Sequence, residues 1–191
     1  YIGWWRQRHG FAMEKDWLLY CAGVKPALSC ILRALTGTWE KVLLLTPADR
    51  TAAELVRSNG RQVVPCPLQY SGGTYRVDFA QLERQLSDPQ LTMLLLDNPH
   101  SPTGTVWEHD TLEQIGALCS KYDVTVLSDE TSCDLTDPGC TIYSFCIGFG
   151  SVQGQQCYLH IAGKAILPAW AANGGGSDPE WTAAPQGAVR G

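Results

Sequence analysis

Short runs of consecutive apolar residues recur along this chain, and helical patterns separate them. The runs predicted as strands are Trp17–Ala22, Val42–Leu45, Gln62–Pro65, Met93–Leu96 and Val124–Leu127. The stretches predicted as helices are Pro26–Leu35, Thr51–Ser58, Phe79–Leu86 and Asp110–Lys121. Strands that are apolar throughout, rather than at alternate positions, are typical of a sheet covered on both faces. The alternation therefore predicts an α/β fold, a three-layer α/β/α sandwich around a mainly parallel sheet.

The composition changes once along the chain, and this predicts a domain boundary. The 191 residues are 45% hydrophobic, which suits one domain with a sizeable core. The segment 173–191 is rich in Gly, Pro and Ala and has few large apolar residues, so we expect a flexible tail there. Residues 1–172 are then one large domain, which we expect to be incomplete and to start inside a longer protein.

Charge, hydropathy and cysteine spacing narrow the classes of function. The net charge is −5 with 14 Lys and Arg and no basic stripe, which argues against nucleic-acid binding. No apolar segment approaches the roughly 20 residues that span a membrane. The eight cysteines form no CxxC pair and the four histidines show no metal-ligand spacing, so no metal site is predicted. Free thiols are the favoured interpretation over disulfides, and they predict a cytoplasmic setting.

Two segments that follow predicted strands carry groups suited to a phosphate and to a polar ring. Val24 and Lys25 lie between a strand and a helix, where backbone amides and the helix dipole bind anions. A plain strand-turn-helix joint is the alternative. In the string DNPHSPTG (97–104), the side-chain amide of Asn98 is able to donate to the phenolate oxygen of a pyridoxal ring. The alternative is that Asn-Pro serves only the turn.

An acid and a lysine complete the group. Asp129, in the pair Asp129-Glu130, ends the run VTVLSDE, and a carboxylate there is suited to a pyridinium nitrogen. A helix cap or a surface acid is the alternative. Lys164 ends the apolar run YLHIAGKA (158–165), and small neighbours leave room for a ring. A surface lysine is its alternative. Together these residues predict a site for pyridoxal 5′-phosphate, with Lys164 as its covalent attachment point and catalytic base.

Seven strings in the first 150 residues carry a resemblance to a known family. They are RQRHGF (6–11), GVKPALSCILRALT (23–36), VLLLTP (42–47), NGRQVVPCPL (59–68), YRVDFAQLE (75–83), LLLDNPHSPTGTVW (94–107) and VTVLSDETSCDL (124–135). The chain resembles the fold-type I pyridoxal-phosphate-dependent enzymes, the class I/II aminotransferase superfamily. Within that superfamily it is most similar to the cystathionine β-lyase (MalY/PatB) type of C–S lyase.

The resemblance implies a cofactor, a reaction and an assembly. It places Asn98 on the ring oxygen of pyridoxal phosphate, Asp129 on the ring nitrogen and the amides of Val24 and Lys25 on the phosphate. The implied reaction is β-elimination on cystathionine or an S-substituted cysteine, which gives a thiol, pyruvate and ammonia, with Lys164 taking the Cα proton. Transamination of an amino-acid substrate is the alternative within the family. Relatives are homodimers, so a homodimer is expected.

Several positions depart from the family pattern. Asp49 stands where such enzymes usually have a tyrosine that stacks on the ring, and Ser132 stands where they usually have a histidine. Ile161 and Gly163 replace hydroxyl residues near the lysine. These departures favour the alternative of a catalytically inactive remnant that serves as an interaction module.

Overall fold

Five helices and nine strands make up the computed structural model, which describes residues 2–137, 139–145, 158–162 and 165–168. The helices are α1 (Ile2–His9), α2 (Val24–Leu35), α3 (Arg50–Ser58), α4 (Phe79–Leu86) and α5 (His109–Lys121). The strands are β1 (Leu19–Tyr20), β2 (Lys41–Thr46), β3 (Gln62–Pro67), β4 (Gln69–Ser71), β5 (Thr74–Arg76), β6 (Leu91–Asp97), β7 (Thr125–Asp129), β8 (Tyr158–Ala162) and β9 (Ala165–Pro168).

Seven of the strands form one sheet in the order β1-β9-β8-β7-β6-β2-β3. The five strands from β8 to β3 run parallel to their neighbours. At the other edge β9 pairs antiparallel with β8, and β1 pairs antiparallel with β9, where Leu19 lies opposite Ile166. Strands β4 and β5 form a separate hairpin. The predicted, mainly parallel sheet is confirmed.

Consecutive residues of the central strands enter two different cores. Val42 and Leu44 pack in a cluster that contains the buried residues of α2 and α3. Leu43 and Leu45 pack in the cluster that contains those of α4 and α5. Because side chains alternate across a strand, a run that is apolar at every position requires helices on both faces. This arrangement confirms the three-layer α/β/α sandwich.

The helix after the first strand begins earlier than predicted. Its buried face contains Leu28, Ile31 and Leu32, as the spacing indicates, but α2 begins at Val24 and not at Pro26. Proline is tolerated there because the first turn of a helix has no intrahelical acceptor for its N–H groups. The amides of Val24 and Lys25 therefore belong to the helix N-terminus itself.

The N-terminal region differs more from the prediction. In place of one strand over Trp17–Ala22, the chain forms a 3₁₀ turn at Lys15–Trp17 and the two-residue strand β1 at the sheet edge. Helix α1 was not predicted; its Trp5 packs with Met13 and Cys133 in a small separate cluster.

The described residues bear on three other sequence predictions. The six cysteines within the described ranges are all free, and Cys66 and Cys119 are buried in the core. No helix in the described ranges is long and apolar enough to cross a membrane. The predicted tail, residues 173–191, lies outside the described residues, so the division at residue 172 stays a prediction.

Candidate functional site

A cavity of about 250 Å³ opens at the carboxyl ends of the central parallel strands. This is the edge at which open α/β sheets bind their ligands. Its lining comes from the first turn of α2, the start of α3, the end of β6 and the segments that follow β6 and β7. The polar and charged lining residues are Lys25, Asp49, Thr51, Asp97, Ser101, Asp129, Thr131 and Ser132.

The N-terminal turn of α2 forms one wall of the cavity. Val24 and Lys25 both line it. The N-cap residue is Gly23, which has no side chain to accept a hydrogen bond from the amides of the first turn. Lys25 is the only cation among the described lining residues. Free amides at a helix N-terminus and an ammonium group together favour an anion at this wall.

Two aspartates lie side by side at the strand ends. Asp97 of β6 and Asp129 of β7 are direct neighbours in the register of the sheet, and both line the cavity. Adjacent strands lie about 4.8 Å apart, so same-face carboxylates in this position repel each other when both are ionised. Burial, and then the negative charges of Asp129 and Asp49, raises the pKa of Asp97 to about 7. A proton is therefore held at this pair near neutral pH.

Asp49 and Ser132, the two departures from the family pattern, also line the cavity. Asp49 is the N-cap of α3, where its Oδ1 accepts a hydrogen bond of 2.8 Å from the backbone N–H of Thr51. The position at which the resemblance expects a stacking ring therefore presents a helix-capping carboxylate. This change adds a third carboxyl group to the cavity and removes an aromatic contact.

Asn98 does not line the cavity that Val24, Lys25 and Asp129 share. Its side chain is buried, and Nδ2 donates to the carbonyl oxygen of Tyr143 at 2.8 Å and to Oε1 of Glu130 at 3.2 Å. Among the described residues, Ser101 lines the cavity and Asn98 does not. Asp97, the last residue of β6, lines the cavity, whereas the side-chain amide of Asn98 is bonded to Tyr143 and Glu130. The geometry does not support the predicted contact of Asn98 with a ring in this cavity.

Glu130 has a structural role in this arrangement. Its Oε1 accepts from the backbone N–H of Phe145 at 2.7 Å and from the hydroxyl of Ser128 at 3.0 Å, in addition to Asn98. A buried carboxylate with several donors is stable where an isolated one is not. Glu130 and Asn98 therefore hold the segment at 143–145 against the end of β7.

Lys164 lies outside the described residues. The strand before it is described: β8 pairs with β7, and Ile161 lies opposite Asp129. Val24, Lys25 and Asp129 are thus the predicted site residues that the structure brings to one cavity. Sequence reasoning missed Asp97 and Ser101, although the alternation of side chains along β6 was a signal for Asp97.

The parallel sheet between two helical layers is a fold that this chain shares with pyridoxal-phosphate-dependent enzymes of known structure. The chain matches the family model for aminotransferase class I and II over residues 2–144. It belongs to that family.

Three comparisons describe the relationship further. The chain is 38% identical over 133 residues to cystathionine beta-lyase PatB of Bacillus subtilis (strain 168), covering 70% of this chain and 34% of that protein. It is 32% identical over 132 residues to protein MalY of Escherichia coli (strain K12), covering 69% and 34%. The structure of cystalysin from Treponema denticola, which contains a pyridoxal 5′-phosphate cofactor, superimposes with a TM-score of 0.82 at 25% identity, covering 90% and 47%. The chain thus spans 34% of these two curated relatives.

Proposed function

We propose that this chain is the cofactor-binding part of a pyridoxal-phosphate-dependent C–S lyase. The reaction is β-elimination on cystathionine or an S-substituted cysteine, which releases a thiol, pyruvate and ammonia. One observation carries the proposal: the first turn of α2 and the carboxylate of Asp129 line the same cavity at the carboxyl ends of the strands. The similarity to a cystathionine β-lyase supports the choice of lyase. Transamination is the second candidate, because the family model is that of aminotransferases.

The residues that line the cavity fit this cofactor. The amides of Val24 and Lys25 and the ammonium of Lys25 suit its phosphate, and the carboxylate of Asp129 suits its ring nitrogen. Ser101, which lines the cavity, replaces Asn98 as the proposed partner of the ring oxygen. When bound, pyridoxal phosphate supplies an electron sink for the substrate carbon from which a proton is removed.

Lys164 is the proposed covalent attachment point and general base for the Cα proton. It follows Ile161 by three positions, and Ile161 pairs with Asp129 at the end of the sheet. That register brings the end of β8, the described strand before Lys164 in the sequence, to the same edge of the sheet as Asp129. With its pKa raised to about 7, Asp97 holds a proton at lower pH, so that of the two neighbouring strand-end aspartates it is Asp129 that would offer a negative charge to the ring nitrogen.

Cofactor binding tests the proposal directly. The purified chain is mixed with pyridoxal phosphate, its visible spectrum is recorded, and borohydride is added to fix the cofactor to its lysine. We expect a visible absorbance band that borohydride removes, with the cofactor found on Lys164 by peptide mapping. Lys164→Ala should lose the band, and Lys15→Ala, at an exposed lysine, should keep it.

Two other outcomes decide between the alternatives. A chain with no band and no trapped cofactor would support the inactive remnant and not the enzyme. If the cofactor binds, cystathionine is added: release of thiol and pyruvate supports the lyase, whereas conversion to the keto acid without thiol supports the aminotransferase. If Lys164→Ala retains the band, the cofactor is attached to a different lysine and the assignment of Lys164 is wrong.

The assembly and location are part of the same proposal. We propose a homodimer, because the family resemblance places each site at a subunit boundary, and a cytoplasmic protein, because its six described cysteines are free. Sedimentation of the purified chain with and without cofactor measures the first. A monomer under both conditions would contradict it for this chain.

A further inference from the structure

Three side chains that are able to bind a metal ion meet outside the lining of the cofactor cavity. His9 is the last residue of α1, and Cys133 and Asp134 lie in the turn 131–134 that follows β7. One donor atom from each lies within 4.8 Å of the other two. His9 is remote from Cys133 and Asp134 in the sequence, so ligand spacing along the chain gives no sign of this cluster.

The imidazole of His9 is buried and aimed at the other two groups. Its side chain is 7% exposed, and Nε2 lies 3.6 Å from Oδ1 of Asp134, which is longer than a hydrogen bond. Nε2 has no hydrogen-bond partner within the part of the chain that the structure describes. The ring stacks on Trp5, with centroids 4.4 Å apart, and this contact fixes its orientation. A buried polar atom without a partner costs about 1–3 kcal/mol, which a ligand would offset.

Asp134 connects the cluster to solvent. Its side chain is 45% exposed, Oδ2 accepts from Nε1 of Trp4 at 3.3 Å, and Nε of Arg8 lies 4.0 Å from Oδ1. Cys133, in contrast, is buried in the small apolar cluster with Trp5 and Met13. An ion is therefore able to enter beside Asp134 and reach a sulfur and a nitrogen that are shielded from water.

We infer that His9, Cys133 and Asp134 bind one Zn²⁺ ion, with the fourth position open to water. A thiolate, a neutral imidazole and a carboxylate are ligands that zinc accepts, and the soft sulfur disfavours Mg²⁺ and Ca²⁺. The thiolate and the carboxylate together balance the two positive charges. The thiol proton leaves to solvent when the ion binds.

The ion would join two separate parts of the fold. Helix α1 supplies His9, while the turn 131–134 supplies the other two ligands and also carries Thr131 and Ser132, which line the cofactor cavity. The site would thus fasten the N-terminal helix to the turn that borders the cavity. This inference does not depend on the proposed lyase activity.

Cobalt serves as the spectroscopic probe. The full chain is stripped of metal with a chelator, reduced, and titrated with Co²⁺ and then with Zn²⁺. We expect a thiolate-to-cobalt absorbance band that saturates at one ion per chain and disappears when Zn²⁺ displaces the probe. Cys133→Ser should abolish the band, and Asp134→Asn, at an exposed position, should weaken cobalt binding by about tenfold or more.

Two matched variants test whether the ion binds elsewhere. His109→Ala disrupts an exposed His109–Asp110–Glu113 cluster, and Cys140→Ser removes an exposed free thiol. Both should leave the band and the affinity unchanged. Absence of the thiolate band in the unaltered chain, its persistence in Cys133→Ser, or an unchanged affinity in Asp134→Asn would overturn the inference. Should Cys133→Ser fail to fold, the band of the unaltered chain and the Asp134→Asn affinity still decide it.

Discussion

Asp97 lines the cavity, and the fold raises the pKa of its carboxyl group by a large amount. Burial and the neighbouring charges of Asp129 and Asp49 raise its pKa from 3.8 to about 7. The folded chain therefore holds this proton more tightly than the unfolded chain does. The resulting stabilisation is complete below about pH 4 and is lost as the pH rises to about 7.

Asp97→Asn should remove this dependence on pH. A shift of about three pKa units corresponds to about 4 kcal/mol of unfolding free energy, which is the upper limit of the effect. We expect the variant to gain stability relative to the parent at pH 8 and to gain little at pH 4. Urea unfolding at both pH values measures it. An equal pH dependence in parent and variant would contradict the assignment.

Asp88 provides a control with the opposite sign. Its pKa is lowered, chiefly because Nζ of Lys41 donates a hydrogen bond of 2.6 Å to its carboxylate. A lowered pKa stabilises the fold at higher pH and not at lower pH. Asp88→Asn should therefore lose a little stability at pH 8, where Asp97→Asn gains it.

The candidate site was predictable to the level of the strand end and not to the level of the single side chain. Val24, Lys25 and Asp129 were identified because groups at carboxyl strand ends of a parallel sheet converge. The prediction of Asn98 rests on the chemistry of its amide, which suits a pyridoxal ring. The structure instead places its neighbour Asp97 on the cavity, because the chemistry of a side chain does not reveal which of two consecutive residues at a strand end faces a ligand.

Helix α4 shows how a single cap acts on a whole element. Oδ1 of Asp78 accepts a hydrogen bond of 3.0 Å from the backbone N–H of Gln81, and Leu82 and Leu86 of the same helix are buried in the core. Without the cap, a donor of the first turn loses its partner. The packing of α4 therefore depends on a polar residue outside the helix.

Asp78→Ala should lower the free energy of unfolding by about 1 kcal/mol. Asp78→Asn retains an oxygen acceptor at the same position, so it should lower the free energy of unfolding by only a few tenths of a kcal/mol. Guanidinium denaturation followed by circular dichroism measures both. If the two variants lose equal stability, the capping hydrogen bond is not the cause.

Elements with a periodic apolar pattern were predicted well, and those without one were not. The four helices α2 to α5 and the strands β2, β3, β6 and β7 match predicted segments within a few residues. Strand β1 has two residues, both exposed, and the β4–β5 hairpin is exposed at five of its six positions. Strand β1 forms through pairing with β9, which is distant in the sequence and which local sequence does not indicate. The hairpin does have a local signal, the turn Gly72-Gly73 with positive φ at both residues, which the pattern of apolar runs does not include. Helix α1 buries only Trp5, so it carries no apolar stripe.

At the scale of the whole molecule, the sheet separates two cores, and we expect them to contribute independently to the free energy of unfolding. Leu32 of α2 is buried against one face of the sheet, and Ile115 of α5 is buried against the other face. The two residues belong to different clusters and share no buried neighbour within them. Substitutions in separate clusters have additive effects on the free energy of unfolding.

Leu32→Ala and Ile115→Ala should each cost about 2–5 kcal/mol. The double variant should cost their sum to within about 0.5 kcal/mol. Leu43→Ala combined with Ile115→Ala is the matched comparison, because both residues belong to one cluster, and this pair should depart from additivity. Chemical denaturation of the five variants measures the cycle. Strong coupling across the sheet would show that the two layers do not act separately.

The antiparallel pairing of β1 with β9 has a consequence for synthesis on the ribosome. Leu19 lies opposite Ile166, so the two strands of this edge are about 150 positions apart, and loop closure over such a distance is slow. During translation β1 leaves the exit tunnel long before β9 and has no β9 to pair with until that strand has also emerged. This edge of the sheet is therefore completed later than the pairing of β2 with β3, whose strands are close together in the sequence.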